Sequence, residues 1–280
     1  MSMSGPLTGR LHWLMPLPAV LLFSLFFVLP LLQGIGLSLT DWNGFSPARF
    51  IGLDNFVQFL GDDRARTDVG NTVLFALGSA PLLIVLGLAL ALLVDGNRPW
   101  QKVARVVLYL PAVISPLVMG YIWYFLLQPG RGFFHLGDWF GSGWAVAVLV
   151  GVNVWQYAGM TMVVFAAGLQ GIPGELYESA SLDGADAWVK FRRITLPLLR
   201  PVMTVNVVTN IIGSLAVFDV VVALTDGGPG YASESLSLFI LRMVYGNSTG
   251  YSTAVALVLF LLTLVPVAIY LRLIARKEAR

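Results

Sequence analysis

Apolar residues are concentrated in six long windows that are separated by shorter polar segments. Each window holds about 18 or more residues with few charges, which is the length an α-helix needs to cross the hydrocarbon core of a bilayer. The windows cover residues 14–38, 71–94, 103–127, 144–169, 202–224 and 252–274. This pattern predicts an all-α membrane protein with six transmembrane helices, which form a single domain over residues 1–280.

The composition supports a membrane protein. Hydrophobic residues make up 57% of the 280 positions, charged residues make up 11%, and the mean hydropathy is +0.80. Soluble proteins carry about 25% charged residues. The sequence has no cysteine, which excludes disulfides, thiolate catalysis and cysteine-based metal sites. The first window is too long for the apolar core of a signal peptide and lacks a small-x-small cleavage site, so we expect it to be retained as the first helix.

Lysine and arginine are unevenly distributed between the two sets of loops. Six spans would place both termini on one side, and that side carries twelve of the 17 basic residues. Because cytoplasmic loops are enriched in Lys and Arg, we expect both termini, residues 95–102 and residues 177–201 to be cytoplasmic. The basic character of the chain therefore reflects its topology and does not indicate binding to nucleic acid.

The most highly charged segment lies between the fourth and fifth windows. Residues 177–201, YESASLDGADAWVKFRRITLPLLRP, include seven charged residues. Gly184 is expected to separate two short helices, over residues 175–182 and 185–194, and the prolines near the end should break the backbone before the next span. Together these helices would form an elbow, which we define as residues 175–197. An ordinary cytoplasmic loop that only fixes the topology is the alternative.

The order of residues in the elbow resembles the EAA loop of permease subunits from ATP-binding-cassette importers. That loop contains Glu-Ala-Ala, a glycine four residues beyond the second alanine, nine further residues, and then Ile-x-Leu-Pro. The corresponding residues are Glu178, Ser179, Ala180, Asp183, Gly184, Ala185, Phe191, Ile194, Leu196 and Pro197. Ser179 replaces the first alanine of the pattern and keeps the side chain small.

The resemblance covers nearly the whole chain. GLDNF at 52–56, Asn71-Thr72, the LPAVISPL run and LTDGGPG at 224–230 look like the carbohydrate-uptake branch of these permeases. They are more similar to its maltose-permease F-type (glycerol-phosphate permease A-type) subunits than to the companion G-type subunits.

This resemblance implies a type I importer permease fold with a cytoplasmic coupling helix, located in the bacterial inner membrane among lipid. The implied partners are a different, G-type permease, a cytosolic ATPase homodimer that binds ATP and Mg²⁺, and an extracellular or periplasmic sugar-binding protein. The matching elbow residues, Ile194 aside, would contact the ATPase and transmit ATP-driven motion. The sequence contains no Walker Gly-x4-Gly-Lys-Ser/Thr loop, so we expect this chain to bind no cofactor and to catalyse no reaction.

Polar residues follow one face of each of two windows. In the fourth window Asn153, Gln156, Tyr157 and Met160 have helical spacing, and in the fifth Asn206, Asn210 and Ser214 recur every four residues. Amide and hydroxyl groups suit the hydroxyls of a sugar, and aromatic rings suit its apolar faces. Hydrogen bonding between helices is the alternative. The resemblance implies cargo contacts at Gln156, Tyr157, Met160, Asn210, Gly213 and Ser214.

Two segments predicted outside the membrane have recognisable local patterns. Residues 227–230, Gly-Gly-Pro-Gly, form a strong turn signal, and the apolar spacing after it predicts a short helix. This region is either a simple connector or a docking surface for the binding protein, with Asp226, Gly227, Gly228, Pro229 and Ser233 as the contact residues. Residues 53–60 predict an amphipathic helix that either packs on the bundle, the simpler interpretation, or lies at the membrane interface.

Other functions require residues that the sequence does not provide. An ion-coupled secondary carrier needs ionisable groups within its spans, and Asp219 is the single candidate. An enzyme needs paired acids, metal ligands or a histidine cluster, whereas His12 and His135 are distant in sequence. An importer of glycerol phosphate would favour basic groups in the spans, and none lies in the middle of a span.

Overall fold

A computed structural model describes residues 15–96, 98–128, 132–133 and 143–278, and the two histidines lie outside these ranges. The described chain is predominantly helical, with one isolated antiparallel bridge between Thr40 and Phe50. In chain order the helices are α1 Leu17–Ser38, α2 Asp54–Gly61, α3 Asp63–Leu93, α4 Pro99–Val113, α5 Pro116–Leu127, α6 Ala145–Gln170, α7 Gly174–Leu182, α8 Ala187–Leu198, α9 Arg200–Leu215, α10 Asp219–Leu224, α11 Leu236–Tyr245 and α12 Thr249–Glu278.

Four of these helices, α1, α3, α6 and α12, are long and apolar enough to cross a membrane by themselves. Two bent pairs are each apolar and long enough only when taken together. The axes of α4 and α5 meet at 93°, and those of α8 and α9 meet at 68°. The number of candidate spans reaches the predicted six when each bent pair counts as one span.

The bend between α4 and α5 lies between two prolines. Pro111 lies inside α4 without ending it, and Pro116 opens α5, where its missing N–H is not needed. Ser115 precedes Pro116 and has a ψ of 133°, because a residue before proline is sterically kept out of the helical conformation. The third window is therefore fully interrupted at Ile114 and Ser115.

The fifth window also departs from a single helix. It divides into α9 and α10 at residues 216–218, which are not helical. The break before the fifth window lies at Leu199, between α8 and α9, rather than at Pro197, which stays within α8. Pro201 lies in the first turn of α9, where proline is well tolerated.

The chain forms two compact units, one of residues up to 61 with 240–258 and the other of residues 62–239 with 259 onwards. In the first unit, the predicted amphipathic helix exists as α2, but its apolar residues Leu53, Val57 and Leu60 are exposed. The choice between packing on the bundle and lying at the membrane interface stays a prediction. Asn55 is buried instead, because its Nδ2 donates to the carbonyls of Ser38 and Thr40 at 2.8 and 2.9 Å and satisfies the carbonyl groups left at the end of α1.

Among the four helices that are long enough to cross a membrane by themselves, α6 has the largest buried share. Its residues Leu149, Met162 and Phe165 are at most 1% exposed. Glycines allow its neighbours to come close: a methyl group added at Gly87 of α3 would lie 2.5 Å from Thr161 Cγ2, and one added at Gly159 would collide with the Leu108 carbonyl of α4. Small residues at crossings let membrane helices pack closely, so this packing fixes the position and rotation of α6.

Candidate translocation cavity and its coupling surfaces

A cavity of about 370 Å³ lies in the second unit between α6, α9 and α10, with Leu83 of α3 and Pro116 of α5 completing its lining. All six residues implied as cargo contacts line this one cavity. The polar side chains around it are Asn153, Gln156, Tyr157, Thr161, Asn206, Thr209, Asn210, Ser214 and Asp219. The tertiary structure therefore brings the two polar faces of the sequence together.

Gln156 connects the cavity to the break between α4 and α5. Its Nε2 donates to the Ile114 carbonyl at 3.1 Å, a group that is available because the helix is interrupted there. The side chain is 1% exposed, and its Oε1 accepts no hydrogen bond from the described residues. A buried polar atom without a partner is costly, so Oε1 is suited to accept a hydrogen bond from water or cargo in the cavity.

On α9, two asparagines occupy the cavity wall one turn apart. Asn210 Nδ2 donates to the Asn206 carbonyl at 2.8 Å and reaches Thr161 Oγ1 of α6 at 3.5 Å. Asn206 is 2% exposed, and its Nδ2 has no acceptor within the described chain. Gly213 leaves open space beside them, since a methyl group added there would meet no atom within 4 Å. This wall of the cavity thus offers hydrogen-bonding groups and leaves space for a bound molecule beside Gly213.

The cavity also contains residues that the sequence analysis did not predict as cargo contacts. Asn153 and Asn206 belong to the noted polar faces, and Asp219 was considered only as a coupling group for ions. Thr161 and Thr209 were missed, although Thr161 is four residues after Tyr157 and Thr209 is three after Asn206. That helical spacing was the available signal, but a threonine can equally return its hydroxyl to its own helix, as Thr209 does to Val205 at 2.8 Å.

The turn after α10 covers residues 225–235. The sequence predicts that this segment is either a simple connector or a docking surface for the binding protein, and we call it the docking loop. Asp226 and Pro229 are exposed, whereas Gly227 is buried. Ser233 is 2% exposed, and its hydroxyl donates to the Gly228 carbonyl at 2.6 Å and contacts Thr225 Oγ1 at 2.9 Å. The side chain of Ser233 therefore holds the turn from inside, and its contact with a binding protein stays a prediction.

The docking loop is attached to the start of α3 by a set of polar contacts that the sequence did not suggest. Arg64 forms a bidentate ion pair with the fully buried Glu234, and its guanidinium lies 3.7 Å above the centre of the Tyr231 ring. Asn71 Nδ2 donates to the Glu234 carbonyl at 3.1 Å, and Thr72 Oγ1 accepts from the Leu236 backbone N–H at 2.9 Å. These contacts hold the loop in one conformation.

The docking loop is also connected to the cavity wall. The hydroxyl of Ser235 donates to the Val217 carbonyl at 2.9 Å and accepts from the Leu238 backbone N–H at 3.3 Å. Val217 lies in the break between α9 and α10 and lines the cavity. One side chain therefore joins the end of the loop, the start of α11 and the wall of the cavity.

The elbow forms α7 and α8 on either side of Gly184. Gly184 has a φ of +78°, and hydrogen bonds run from its N–H to the Ser181 carbonyl and from the Ala185 N–H to the Ala180 carbonyl, at 3.1 and 2.9 Å. This is a Schellman motif, whose positive φ favours glycine. The predicted division of the elbow at Gly184 is confirmed.

The elbow is held together internally while its tip stays exposed. Tyr177 and Thr195 share a hydroxyl hydrogen bond of 2.9 Å, and Lys190 Nζ donates to Ser181 Oγ at 2.6 Å. Leu182 at the end of α7 is 90% exposed and Trp188 is 65% exposed. An exposed apolar tip on a rigid helical pair is typical of a surface that contacts another protein.

Apolar helices around a polar cavity, together with a helical elbow whose apolar tip is exposed, define a permease that spans the membrane several times. The chain belongs to the family of binding-protein-dependent transport system inner membrane components, which it matches over residues 83–279. It is therefore a non-catalytic permease subunit of an ATP-binding-cassette importer. Membership of this family rules out the alternative of an ion-coupled secondary carrier.

Known relatives cover almost the full chain. It is 32% identical to the probable starch degradation products transport system permease protein AmyD of Thermoanaerobacterium thermosulfurigenes, over 96% of both chains. It is 31% identical to the trehalose/maltose transport system permease protein MalF of Thermococcus litoralis, over 94% of this chain and 93% of the relative. A crystal structure of a bacterial alginate ABC transporter in complex with its alginate pentasaccharide-bound periplasmic protein matches with a TM-score of 0.77 and 25% identity, over 93% of this chain and 92% of that one.

Proposed function

We propose that this chain forms half of the translocation path of a sugar importer, and that the cavity between α6, α9 and α10 receives the sugar. One observation carries the proposal: residues from two separate polar faces line a single cavity, in which Gln156 Oε1 and Asn206 Nδ2 are buried without partners in the described chain. Relatives whose names refer to starch products, trehalose, maltose and alginate support a carbohydrate as the cargo.

The chemistry of the lining suits a hydroxylated cargo. A sugar hydroxyl is both donor and acceptor, so it can pair with the Gln156 oxygen and the Asn206 nitrogen in turn. Tyr157 adds a ring face for the apolar side of a pyranose. Each hydrogen bond contributes only about 0.5–1.5 kcal/mol, which allows the cargo to leave again once the cavity opens to the other side.

Under this proposal, the elbow transmits the motion that drives the cycle. Leu182 and the small residues before it enter a cleft on a cytosolic ATPase dimer, which binds ATP and Mg²⁺. Because α7 and α8 are joined by a Schellman motif and by side-chain hydrogen bonds, a displacement at the tip reaches α9 instead of being absorbed by loop bending. The 68° junction at Leu199 would then change the orientation of α9 and its cavity face.

The docking loop would meet the binding protein on the opposite side. Its exposed residues Asp226, Pro229 and Tyr231 form the contact surface, with Gly227 and Gly228 supplying the turn. The ion pair of Arg64 with Glu234 fixes this surface before the partner arrives, which lowers the entropy that association must overcome. The crystallised alginate transporter, in complex with its periplasmic protein, supports such a partner.

The complete importer would contain a different, G-type permease as the other half of the path. The charge distribution supports cytoplasmic termini and a cytoplasmic elbow in a bacterial inner membrane. Among the cargo alternatives, glycerol phosphate is disfavoured because the cavity lining described by the structure contains no lysine or arginine.

Uptake measured beside ATPase activity in vesicles containing the assembled importer tests the proposal. We expect Gln156→Ala and Asn206→Ala each to lower the uptake of labelled sugar about two- to tenfold, with basal ATPase activity unchanged. Thr204→Ala is the matched control, since Thr204 lies on α9 outside the cavity and its hydroxyl bonds to the Arg200 carbonyl. Parental uptake in both cavity variants would mean that these polar faces only pack helices together.

A further inference from the structure

Asp219 places an uncompensated negative charge in the wall of the cavity. It is exposed, lies directly after the break at residues 216–218, and is the only charged residue among the described residues that line the cavity. In the part of the chain that the structure describes, its carboxylate forms no ion pair.

We propose that Asp219 makes the cavity selective by charge, so that it accepts neutral and amine-bearing sugars and rejects carboxylated, sulfonated or phosphorylated ones. This inference rests on the proposed function of the cavity and narrows the class of cargo. Coulomb repulsion acts on an anion at every position in so small a space, because unit charges a few ångströms apart interact appreciably even when water is present. Neutral hydroxyls meet no such barrier and can still bind Gln156 Oε1 and Asn206 Nδ2, which have no partner within the described chain.

The comparison with a related importer indicates that individual side chains in the cavity, and not the fold, decide whether the cargo is charged or neutral. A bacterial ABC transporter involved in the import of the acidic polysaccharide alginate has a closely similar fold, with a TM-score of 0.80. A shared fold therefore does not decide between acidic and neutral cargo. In this chain the described lining contains eight uncharged polar side chains, one carboxylate and no basic group, which is the opposite of what an anion requires.

Charged thiol reagents of similar size can measure this selectivity without knowledge of the sugar. The native sequence has no cysteine, and Thr209 is an exposed residue of the cavity wall. A Thr209→Cys variant in the assembled importer would be treated separately with trimethylammonium-ethyl and sulfonato-ethyl methanethiosulfonate. The rate of modification would be read from the mass of this chain, so that thiols on partner subunits do not interfere.

We expect the cationic reagent to react faster, and the ratio of the cationic to the anionic rate to fall about tenfold when Asp219→Asn is added. Asp219→Glu, which keeps the charge, should keep the ratio. Asp63→Asn serves as the matched control, because Asp63 is 95% exposed and lies outside the cavity. Size-exclusion chromatography would establish that each variant assembles.

The possible failures are distinguishable. Equal rates for both reagents, or a ratio that Asp219→Asn does not change, would overturn the charge selectivity and leave the cavity as the proposed path. An absence of reaction with either reagent, in any state of the ATPase cycle, would instead overturn the cavity as an aqueous path and the selectivity with it.

Discussion

The guanidinium of Arg64 binds both carboxylate oxygens of Glu234, which lies 170 positions later in the chain, with nitrogen–oxygen distances of 2.7 and 2.9 Å. Glu234 is fully buried, whereas Arg64 retains 25% side-chain exposure. The ion pair therefore attaches the docking loop to the first turn of α3. The Tyr231 ring lies against the guanidinium, and the centre of the ring is 3.7 Å from the guanidinium carbon.

Removing one member of this pair should destabilise the protein strongly. Arg64→Met removes the positive charge that pairs with the buried Glu234 carboxylate, and breaking a buried ion pair by removing one partner typically costs about 3–5 kcal/mol of unfolding free energy. We expect a lower midpoint of thermal denaturation in detergent and weaker association with the binding protein. Arg66→Met is the control, because its ion pair with Asp63 is exposed and exposed pairs contribute little.

A double variant distinguishes two causes of lower thermal stability: a buried charge without its counter-charge, and the loss of the contact between the two side chains. Arg64→Met combined with Glu234→Leu removes both charges, so it should recover much of the lost thermal stability. Equal midpoints for the Arg64 and Arg66 single variants would contradict a structural role for the buried pair.

The elbow prediction concerns backbone conformation rather than space. A methyl group added at Gly184 or at Gly174 meets no atom within 4 Å, but only Gly184 has a positive φ. Gly184→Leu should therefore strain the turn by about 1–2 kcal/mol and lower coupled uptake about tenfold. Gly174→Leu should leave uptake nearly unchanged. Uptake and ATPase activity in the same vesicles test this, and similar losses in both variants would argue for a surface effect instead.

The exposed tip of the elbow gives a separate test of the ATPase contact. Leu182 is 90% exposed and packs against nothing that would stabilise this chain alone. We expect Leu182→Ser to preserve the thermal stability of the isolated subunit and to weaken its co-purification with the ATPase, because apolar area buried at an interface contributes about 25 cal/mol per Å². Undiminished co-purification would place the contact elsewhere on the elbow.

Accessibility of the docking loop can be measured with a pair of neighbouring cysteines. Ala232 is exposed and Ser233 is 2% exposed, so a membrane-impermeant thiol reagent should modify Ala232→Cys rapidly and Ser233→Cys slowly in intact spheroplasts. Added binding protein should protect Ala232→Cys. Modification of Ala232→Cys solely after lysis would contradict the predicted outer location of the loop.

In the cavity, Asn210 and Tyr157 should differ in the size of their effects. Asn210→Ala removes one amide and should lower sugar uptake about two- to tenfold. Tyr157→Ala removes a hydroxyl and a ring face, so its loss should be larger. Parallel assays of basal ATPase activity distinguish a transport defect from a failure of assembly, and parental transport in both variants would favour interhelical packing.

The sequence by itself determined the helical class, the approximate position of each apolar helix and the division of the elbow. These features are local: apolar windows reflect the length of a membrane span, and Gly184 is required by one residue's positive φ. The two polar faces were also visible, because helical spacing alone places Gln156 with Tyr157 and Asn206 with Asn210.

Only the tertiary structure decided that these faces meet in one cavity, that Asp219 belongs to it, and that the fifth window is interrupted at residues 216–218. At the interruption the Val217 carbonyl accepts a hydrogen bond from the hydroxyl of Ser235, which lies 18 positions later in the chain. The ion pair of Arg64 with Glu234 could not be predicted from the sequence for the same reason. A hydrogen bond between remote residues leaves no periodic pattern in the sequence. Its energy depends on where packing places the two groups and not on their spacing along the chain.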